Sequence, residues 1–466
     1  MKIQFFGAAQ TVTGSKHLLT LESGFTVMLD CGLFQGMGAV GQQRNRTFGF
    51  DASNIQSVIL SHAHIDHSGL LPKLYAEGFR GNIYCTPATA DLCGIMLRDS
   101  AFIQESDLKF VNKRRAKRGD QPLEPLYTLE DAEGVLELMI QVNYLNEFAI
   151  NNEISFNFTD QGHLLGSAAV NITITESKKQ FKLTFTGDIG RPNDQILRGP
   201  EKFPQADYII CESTYGNRLH EKQAGAEERL LEIVKDTCVR KKGKLIIPAF
   251  SVDRTQELVF ALDKMESAGV LPRIKVFVDS PLSVNATNIM RKHRECYNDH
   301  ILNYLKTDED PFGFDNLEYI SNVVRSKELN DLKEPCIIIS SSGMAEAGRI
   351  KHHIANNIKN KNNTILMVGY CSPGSLGSEL KEGKGEVNIF GEMYPVIANV
   401  ESIDSYSAHA DYQEMIDYLE CQNSKLVKKV FLVHGEIETQ TVFKKHLEDA
   451  GFHNIEIPAY MQSIEI

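Results

Sequence analysis

SHAHIDHSG, residues 61–69, places His62, His64, Asp66 and His67 directly after the apolar run SVIL. Neutral imidazoles and carboxylates are ligands that zinc and related metals take in proteins. On an extended segment, His62 and His64 are two residues apart and point the same way. A turn after them can bring Asp66 and His67 against a second metal. The stretch therefore predicts the first part of a two-metal site at the end of a buried strand.

Length and composition restrict the class of protein. A chain of 466 residues is too long for one ordinary core, and 42% hydrophobic with 24% charged residues is typical of globular domains. No apolar run approaches the roughly 20 residues of a membrane helix, and the first residues do not resemble a signal peptide. Nine cysteines without a CxxC pair indicate free thiols in a reducing compartment. We predict a cytoplasmic protein without a membrane partner.

The charge pattern leaves the partner open. A net charge of −12 argues against a non-specific nucleic-acid coat, because such binding depends on neutralising phosphates. A local basic cleft is still compatible with this charge. The strongest basic run is KFVNKRRAKRG, residues 109–119, and KKGK at residues 241–244 is weaker. Either run is equally well explained as a solvated helix face or loop.

Hydrophobic periodicity divides the chain into two kinds of region. Residues 88–150 have mostly helical spacing, and from Ile154 the period falls to two in ISFNFTD, AVNITITES and FKLTFTGD. From about residue 217, helices alternate with short apolar runs such as KLIIPAF, RIKVFVDS and NTILMVGY. Such runs are typical of parallel strands covered on both faces. The sequence predicts an α/β module inserted into a layered, strand-rich domain.

Three further polar residues follow predicted strands and lie next to a glycine. They are His163 in QGHLLGSA, Asp188 in TFTGDIG and His434 in FLVHGE. Taken singly, each would be an ordinary polar residue at the end of a strand. Their shared setting, in which glycine lets the backbone turn sharply, makes them candidate ligands.

The order of these motifs resembles the metallo-β-lactamase superfamily. Its ligand motifs are matched by LDCG with Asp30, HAHIDH at residues 62–67, GHLLGSA with His163 and FTGDIG with Asp188. The extra motifs of the β-CASP nucleases are matched by CESTYGNR with Glu212, SAHADY with His409 and VHGE with His434. These nucleases include the endonuclease subunit of the pre-mRNA 3′-end cleavage complex and its compact bacterial and archaeal relatives.

This resemblance implies a fold and a domain organisation. The fold would be α/β, an αββα metallo-β-lactamase sandwich with an inserted α/β β-CASP domain. The sandwich would occupy residues 1–216 and 390–466, and the insert would occupy residues 217–389. A homodimer is expected from the family alone.

The resemblance also implies two Zn²⁺ ions, with Mn²⁺ as the alternative metal. The ligands of the first ion would be His62, His64, His163 and Asp188, and those of the second ion would be Asp66, His67, Asp188 and His434. Asp30 would accept hydrogen bonds that fix a ligand histidine or its loop. His409 would be the general acid that protonates the leaving oxygen, and Glu212 would bind its other ring nitrogen and favour the charged form. We include Asp66, as a metal ligand, and Asp30, as the residue that fixes a ligand histidine, among the predicted catalytic residues.

Residues of the insert are candidates for substrate binding. Serine hydroxyls and a glycine N–H can face an anion, and arginine and histidine can bind phosphate. The predicted phosphate-binding residues are Ser341, Ser342, Gly343, Arg349, His352, His353 and Arg254. Packing within the insert explains the same residues equally simply, since serine and glycine cap helices in many proteins.

We therefore predict a metal-dependent ribonuclease that cuts single-stranded RNA with a di-zinc-activated hydroxide and a histidine general acid, as an endonuclease, a 5′-exonuclease or both. A DNA nuclease, a small-molecule metallohydrolase and a non-catalytic scaffold are the alternatives. The family's DNA-processing branch has an apolar residue where this chain has His434, so RNA is favoured. The insert disfavours a small-molecule substrate, and the complete set of ligand positions disfavours a scaffold.

Overall fold

The computed structural model describes residues 1–220, 225–369, 371–372, 374–403 and 407–466, with every side chain of these except that of Phe110. The described residues form two compact units. The first unit comprises Met1–Leu219 and Ala408–Ile466, and the second comprises His220–Ser407. Within the described ranges, no helix combines the length and the apolar character needed to cross a membrane.

The strands of the described residues are β1 (Lys2–Phe5), β2 (His17–Thr20), β3 (Thr26–Leu29), β4 (Ser57–Ile59), β5 (Asn82–Cys85), β6 (Met139–Gln141), β7 (Phe148–Ala149), β8 (Ile154–Asp160), β9 (Ala168–Glu176), β10 (Lys179–Phe185), β11 (Tyr208–Cys211), β12 (Leu245–Pro248), β13 (Lys275–Asp279), β14 (Leu317–Ile320), β15 (Cys336–Ser340), β16 (Thr364–Val368), β17 (Glu386–Ile389), β18 (Glu392–Pro395), β19 (Asn399–Ile403), β20 (Lys429–Leu432), β21 (Ile455–Glu456) and β22 (Ser463–Glu465).

The α-helices of the described residues are α1 (Gly38–Arg46), α2 (Ile65–Ser68), α3 (Leu71–Ala76), α4 (Pro87–Ala116), α5 (Leu129–Leu136), α6 (Ala226–Val234), α7 (Arg254–Ser267), α8 (Pro281–Lys292), α9 (Asp299–Tyr304), α10 (Val323–Asp331), α11 (Arg349–Asn357), α12 (Leu376–Lys381), α13 (Tyr412–Leu419) and α14 (Ile437–Asp449). A π-helical turn, Lys235–Arg240, continues α6.

Two seven-stranded sheets form the centre of the first unit. Their strand orders are β22-β1-β2-β3-β4-β5-β6 and β21-β20-β11-β10-β9-β8-β7. Side chains alternate along each strand, so one face of each sheet meets the other sheet in a shared apolar core. That core includes Phe5, Leu29 and Ile59 from the first sheet and Phe158 and Phe185 from the second.

Helices complete the layers of the first unit. On the second sheet, Ile209 and Leu432 pack against Met415 of α13 and Phe443 of α14 in a separate apolar cluster. At the first sheet, α4 contacts β6, and α5 packs on both α3 and α4. The unit is therefore an αββα sandwich, as the sequence predicts.

The strand directions bring several loops to one edge of the sandwich. β10, β11 and β20 are adjacent and parallel, and so are β3 and β4. β8 runs in the same direction as β10, because each is antiparallel to β9. Residues that follow the carboxyl ends of such strands collect at the same edge, which is where α/β folds place their ligand sites.

The second unit contains a six-stranded parallel sheet in the order β14-β13-β15-β12-β16-β19. Its central strands are short runs such as Leu245–Pro248 and Cys336–Ser340, in which every residue is buried. Burial on both faces explains this pattern. The predicted α/β character of the insert is confirmed.

Two boundaries differ from the sequence-based expectation. The second unit ends at Ser407 rather than at residue 389. The reason is that β18 pairs with β17, and β19 continues the parallel sheet beside β16. The helical pattern expected for residues 88–150 was also too long. α5 ends at Leu136, and β6 then pairs with β5, because the apolar residues there extend a parallel sheet.

Candidate metal centre

The SHAHIDHSG loop leaves β4 and turns into the single-turn helix α2. Nε2 of His62 and Nδ1 of His64 lie 3.1 Å apart, so the two rings face one point, as expected for alternate residues of an extended segment. The α2 turn then carries Asp66 and His67 to the other side of the loop. A short sequence thereby supplies ligands to two neighbouring positions.

Four ligand atoms meet at the first position. Nε2 of His163 lies 3.2 Å from Nδ1 of His64. Oδ2 of Asp188 lies 3.6 Å from Nε2 of His62 and 3.5 Å from Nε2 of His163. Gly162 and Gly187, with φ of 60° and 56°, make the turns that direct His163 and Asp188 inward.

The second position lies on the other side of Asp188. Nε2 of His67 lies 3.2 Å from Nε2 of His434 and 3.3 Å from Oδ1 of Asp188. Oδ2 of Asp66 lies 3.4 Å from Nε2 of His434. The two oxygens of Asp188 therefore face different groups of histidines, and this carboxylate lies between the two positions.

These distances fit metal coordination. With bonds of about 2.0–2.1 Å in tetrahedral directions, neighbouring ligand atoms are separated by about 3.3–3.4 Å. The separations in both groups are 3.1 to 3.6 Å. Oδ1 of Asp188 is buried and accepts no hydrogen bond from any described residue, although it lies close to His67. Such an unpaired carboxylate oxygen needs a cation to offset its loss of hydration.

The protonation states fit the same conclusion. Burial lowers the pKa of His62 and His163 well below the usual range, and it lowers that of His64 to about 4. These rings are neutral at pH 7, which is the form that binds a metal. Burial opposes a charge on His67, but the carboxylates of Asp188 and Asp30 raise its pKa well above the usual range. The carboxylates thus favour positive charge at this point, as a metal ion would supply.

Asp30 holds the SHAHIDHSG loop in place through hydrogen bonds. Its Oδ2 lies 2.6 Å from Nδ1 of His67 and accepts a hydrogen bond from Oγ of Ser61 at 2.9 Å. Its Oδ1 accepts the backbone N–H of Ser61 at 2.8 Å, and Oγ of Ser15 donates to Oδ2 as the fourth contact of this carboxylate. Because Nδ1 of His67 is bound to Asp30, only Nε2 is left to face the second position.

His409 and Glu212 form a pair beside the first position. Nδ1 of His409 lies 3.2 Å from Oε1 of Glu212, and the His409 ring centre lies 4.4 Å from that of His163. Glu212 is fully buried, whereas the His409 side chain is 21% exposed. Burial alone would lower the pKa of His409, but the Glu212 carboxylate raises it to about 9. The backbone N–H of Ile189 donates to Glu212 at 2.5 Å and holds the carboxylate in place.

In the second unit, two of the predicted phosphate-binding residues bind a buried carboxylate instead. Asp279 accepts hydrogen bonds from Nη1 of Arg349 at 2.6 Å, from His353 Nε2 at 2.7 Å and from Oγ of Ser326 at 2.5 Å. Arg349 also donates to the carbonyl of Ser321 at 2.6 Å. The structure therefore gives both residues packing contacts, and a role in phosphate binding stays a prediction.

The other predicted phosphate-binding residues lie in three settings. Ser341, Ser342 and Gly343 follow the carboxyl end of β15, where Oγ of Ser341 donates to Oγ of Ser280 at 2.9 Å. Arg254 is buried and paired with Glu257 on α7. His352 packs on the ring of Phe390, with the ring centres 4.5 Å apart. A role of these residues in phosphate binding stays a prediction.

Three important residues were missed in the sequence. Asp279 lies in the quoted RIKVFVDS run, yet only the packing of its partners identifies it as the centre of a network. Thr214 follows Glu212, and its hydroxyl lies 2.9 Å from Nδ1 of His434. Ser61 precedes His62 and contacts both Asp30 and the His62 ring. For Thr214 and Ser61, the signal available in the sequence was a hydroxyl side chain directly next to a motif residue.

An αββα sandwich with grouped histidines and aspartates at one sheet edge is the architecture of a metallo-hydrolase. Family models agree with this class. The metallo-beta-lactamase superfamily matches residues 17–140, the Beta-Casp domain matches residues 255–380, and the Zn-dependent metallo-hydrolase RNA specificity domain matches residues 393–458.

Individual relatives match almost the whole chain. Ribonuclease TTHA0252 of Thermus thermophilus is 34% identical over 97% of this chain and 97% of its own length. An RNase J-like protein of Methanocaldococcus jannaschii is 31% identical over 93% of this chain and 92% of its own. Transcription termination factor FttA of Methanosarcina mazei is 27% identical over 98% of this chain and 71% of its own. The chain belongs to the β-CASP ribonuclease family of the metallo-β-lactamase superfamily, and the resemblance seen in its motifs is confirmed.

Proposed function

We propose that this protein hydrolyses phosphodiester bonds of single-stranded RNA with two bound Zn²⁺ ions and His409 as the general acid. The observation that carries the proposal is the position of Asp188. Its two oxygens face separate groups of histidines at ligand spacing, and the His409–Glu212 pair lies next to one group. This arrangement suits a reaction that needs an attacking oxygen and a protonated leaving oxygen.

The chain would hold one ion through His62, His64, His163 and Asp188, and the other through Asp66, His67, His434 and Asp188. When bound, two such ions supply a hydroxide nucleophile at neutral pH and offset negative charge on the phosphate. Asp30 keeps Nε2 of His67 free for this task, and Thr214 does the same for Nε2 of His434 by binding its Nδ1.

His409 would complete the displacement. Because Nδ1 faces Glu212, the proton to be donated is on Nε2. As the bond between phosphorus and the leaving oxygen breaks, that proton passes to the leaving oxygen, and the His409–Glu212 pair becomes neutral imidazole beside carboxylate. General acid catalysis of this kind contributes about 10²–10⁴ in rate.

Three considerations favour RNA as the substrate. The relatives include proteins named as a ribonuclease and as RNase J-like. The family model that matches residues 393–458 is described as an RNA specificity domain. His434 also occupies the position at which the DNA-processing branch has an apolar residue. The cytoplasmic location, the homodimer and the phosphate contacts of Ser341, Ser342 and Gly343 remain predictions.

The test uses end-labelled single-stranded RNA and DNA of the same sequence, each incubated with purified protein and either added zinc or a chelator. The His409→Ala variant is compared with His446→Ala, which removes a histidine of α14 that stacks on Tyr412 and has no role in the proposed site. We expect metal-dependent cleavage of RNA by the unmodified chain and by His446→Ala, and a loss of about 10²-fold or more in His409→Ala.

The product pattern separates the two modes of cleavage. A ladder of internal cuts indicates an endonuclease, and mononucleotides released from the 5′ end indicate an exonuclease. If the chain binds two metals but cuts neither RNA nor DNA, the nuclease proposal fails. Faster cleavage of DNA than of RNA would assign the chain to the DNA alternative.

A further inference from the structure

The end of helix α4 carries a cationic surface that the metal centre does not use. Residues 109–119 contain six cations and no acidic residue, in a chain whose net charge is −12. We call this surface the basic tip, and its residues are Lys109, Lys113, Arg114, Arg115, Lys117 and Arg118. The tip lies in the first unit, together with the metal centre.

Helical geometry gathers most of these charges on one side. Lys109, Lys113 and Arg114 lie within α4, and Lys117 at its C-cap continues the i, i+4 spacing of the two lysines, whereas Arg118 follows in the turn after the helix. At 3.6 residues per turn, the three lysines and Arg114 span about 140° of the helix circumference. All five side chains are exposed to solvent.

Helix stability alone does not account for this pattern. Cations near a helix carboxyl end are favourable because they oppose the helix dipole. Like charges at i and i+4 are unfavourable, however, and Lys109, Lys113 and Lys117 form two such pairs. Among the described residues, none of the five exposed cations lies within 4.0 Å of a carboxylate. The local arrangement therefore has an electrostatic cost that an external anion would remove.

The tip is held in a defined conformation. The side chain of Asn112 exchanges two hydrogen bonds with the backbone of Leu123, at 2.9 and 2.8 Å. Nε of Arg115 donates to the carbonyl of Gln121 at 2.7 Å. The following segment is thereby fastened to the helix, so little ordering is required when a ligand binds.

The other end of α4 is attached to the metal centre. Thr86, which caps the helix, and Thr89 both donate to the carbonyl of Gly166, at 2.7 and 2.9 Å. Gly166 belongs to the loop that carries His163. A helix of 30 residues is about 45 Å long. At about 3.4 Å per stacked nucleotide, this length corresponds to roughly a dozen nucleotides.

We propose that the basic tip binds the sugar-phosphate backbone of RNA at a distance of about a dozen nucleotides from the metal centre. This inference rests on the proposed ribonuclease function and adds to it a second, sequence-independent contact. Phosphate is the anion that matches a row of cations. The contact would compensate for the acidic character of the rest of the chain.

The test measures binding of a fluorescent 30-nucleotide RNA at several salt concentrations. All proteins are full-length and carry His409→Ala, so that the RNA stays intact. The tip variant is Lys113→Glu with Lys117→Glu. The matched control is Lys178→Glu with Lys179→Glu, which makes the same charge change at two exposed lysines, one in the β9–β10 turn and one at the start of β10. A third protein, Lys113→Arg with Lys117→Arg, keeps the charge.

Loss of two phosphate contacts should weaken binding about tenfold or more at 0.1 M salt and reduce the slope of log K against log salt by about 1.4. The control and the arginine variant should stay within about twofold of the parent. Equal affinity and slope in the tip variant and the control overturn the inference, and so does an arginine variant as weak as the glutamate variant. If RNA cleavage by the unmodified chain is present in that case, the proposed function still stands. If the parent does not bind RNA at all, the inference fails, and cleavage by the unmodified chain decides separately whether the proposed function stands.

Discussion

Oδ2 of Asp30 lies 2.6 Å from Nδ1 of His67, and both side chains are buried. This contact leaves Nε2 of His67 facing His434 and Asp188, at 3.2 and 3.3 Å. A carboxylate bound to the far nitrogen of a ligand histidine fixes its tautomer and its orientation. The relationship therefore joins the first sheet, through β3, to the proposed second metal position.

Replacing Asp30 with Asn should weaken metal binding without removing a ligand. The amide keeps the shape of the carboxylate but loses the charge that favours a basic, correctly oriented His67. We expect metal affinity to fall about 10- to 100-fold, measured by competition with a coloured chelator. Asp51→Asn is the control, because Asp51 is exposed and only caps a short helical turn. Equal affinities in the two variants would contradict the role given to Asp30.

The number of metal ions bound per chain should depend on whether a ligand of one position or the shared Asp188 is replaced. His64→Ala should reduce the metal content from two ions to one, and Asp66→Ala should do the same at the other position. Asp188→Ala should leave fewer than one ion, because its oxygens face both groups. Elemental analysis of dialysed protein gives these ratios. A single ion in the unmodified chain, lost completely in both His64→Ala and Asp66→Ala, would exclude the two-metal arrangement.

The alkaline limit of activity should move in a Glu212→Gln variant. The Glu212 carboxylate raises the pKa of His409 against the effect of burial, so the proton needed for catalysis is retained to higher pH. Without that charge the pKa falls, and His409 loses its proton earlier as pH rises. We expect the alkaline limb of the kcat/KM profile to lie at lower pH in Glu212→Gln than in the unmodified chain. A lower rate with the same alkaline limb would indicate that Glu212 only holds the backbone of Ile189.

Much of the candidate metal centre could be predicted because its residues follow strands in local motifs. The HAHIDH stretch could be interpreted locally. Its extended part orients His62 and His64, and the single helical turn that follows orients Asp66 and His67. His163, Asp188 and His434 could be grouped because each follows a strand beside a glycine. Parallel strands then bring such residues together at one sheet edge, whatever their separation in the chain.

Contacts that depend on long-range packing could not be predicted. Asp279 and its partners come from three separate elements, β13, α10 and α11, and no local pattern links Ser326 to His353. The second compact unit extends to Ser407 because β19 pairs with β16, a pairing that the apolar run itself does not specify. β6 was assigned to a helix for the same reason, because only its pairing with β5 decides between helix and strand.

The buried Asp279 network yields a prediction that separates packing from phosphate binding. Asp279→Asn leaves Arg349 and His353 without their anionic partner, so we expect a loss of about 3–5 kcal/mol in the free energy of unfolding, measured with urea. Burial raises the pKa of Asp279, but the bonds from His353, Ser326 and Arg349 hold it below its usual value. The stabilisation is therefore complete above about pH 4, and the difference between the two proteins should shrink as pH falls further.

The control for this experiment is Asp310→Asn, which breaks the partly exposed pair with Arg291 in the same unit and should cost about 0–1 kcal/mol. An Asp279→Asn protein with unchanged stability but weaker binding of inorganic phosphate would reverse the assignment. Arg349 and His353 would then bind an anion, and Asp279 would only position these two side chains. A large loss of stability instead means that these two side chains hold the insert together, which leaves the serines after β15 as the remaining candidates for phosphate binding.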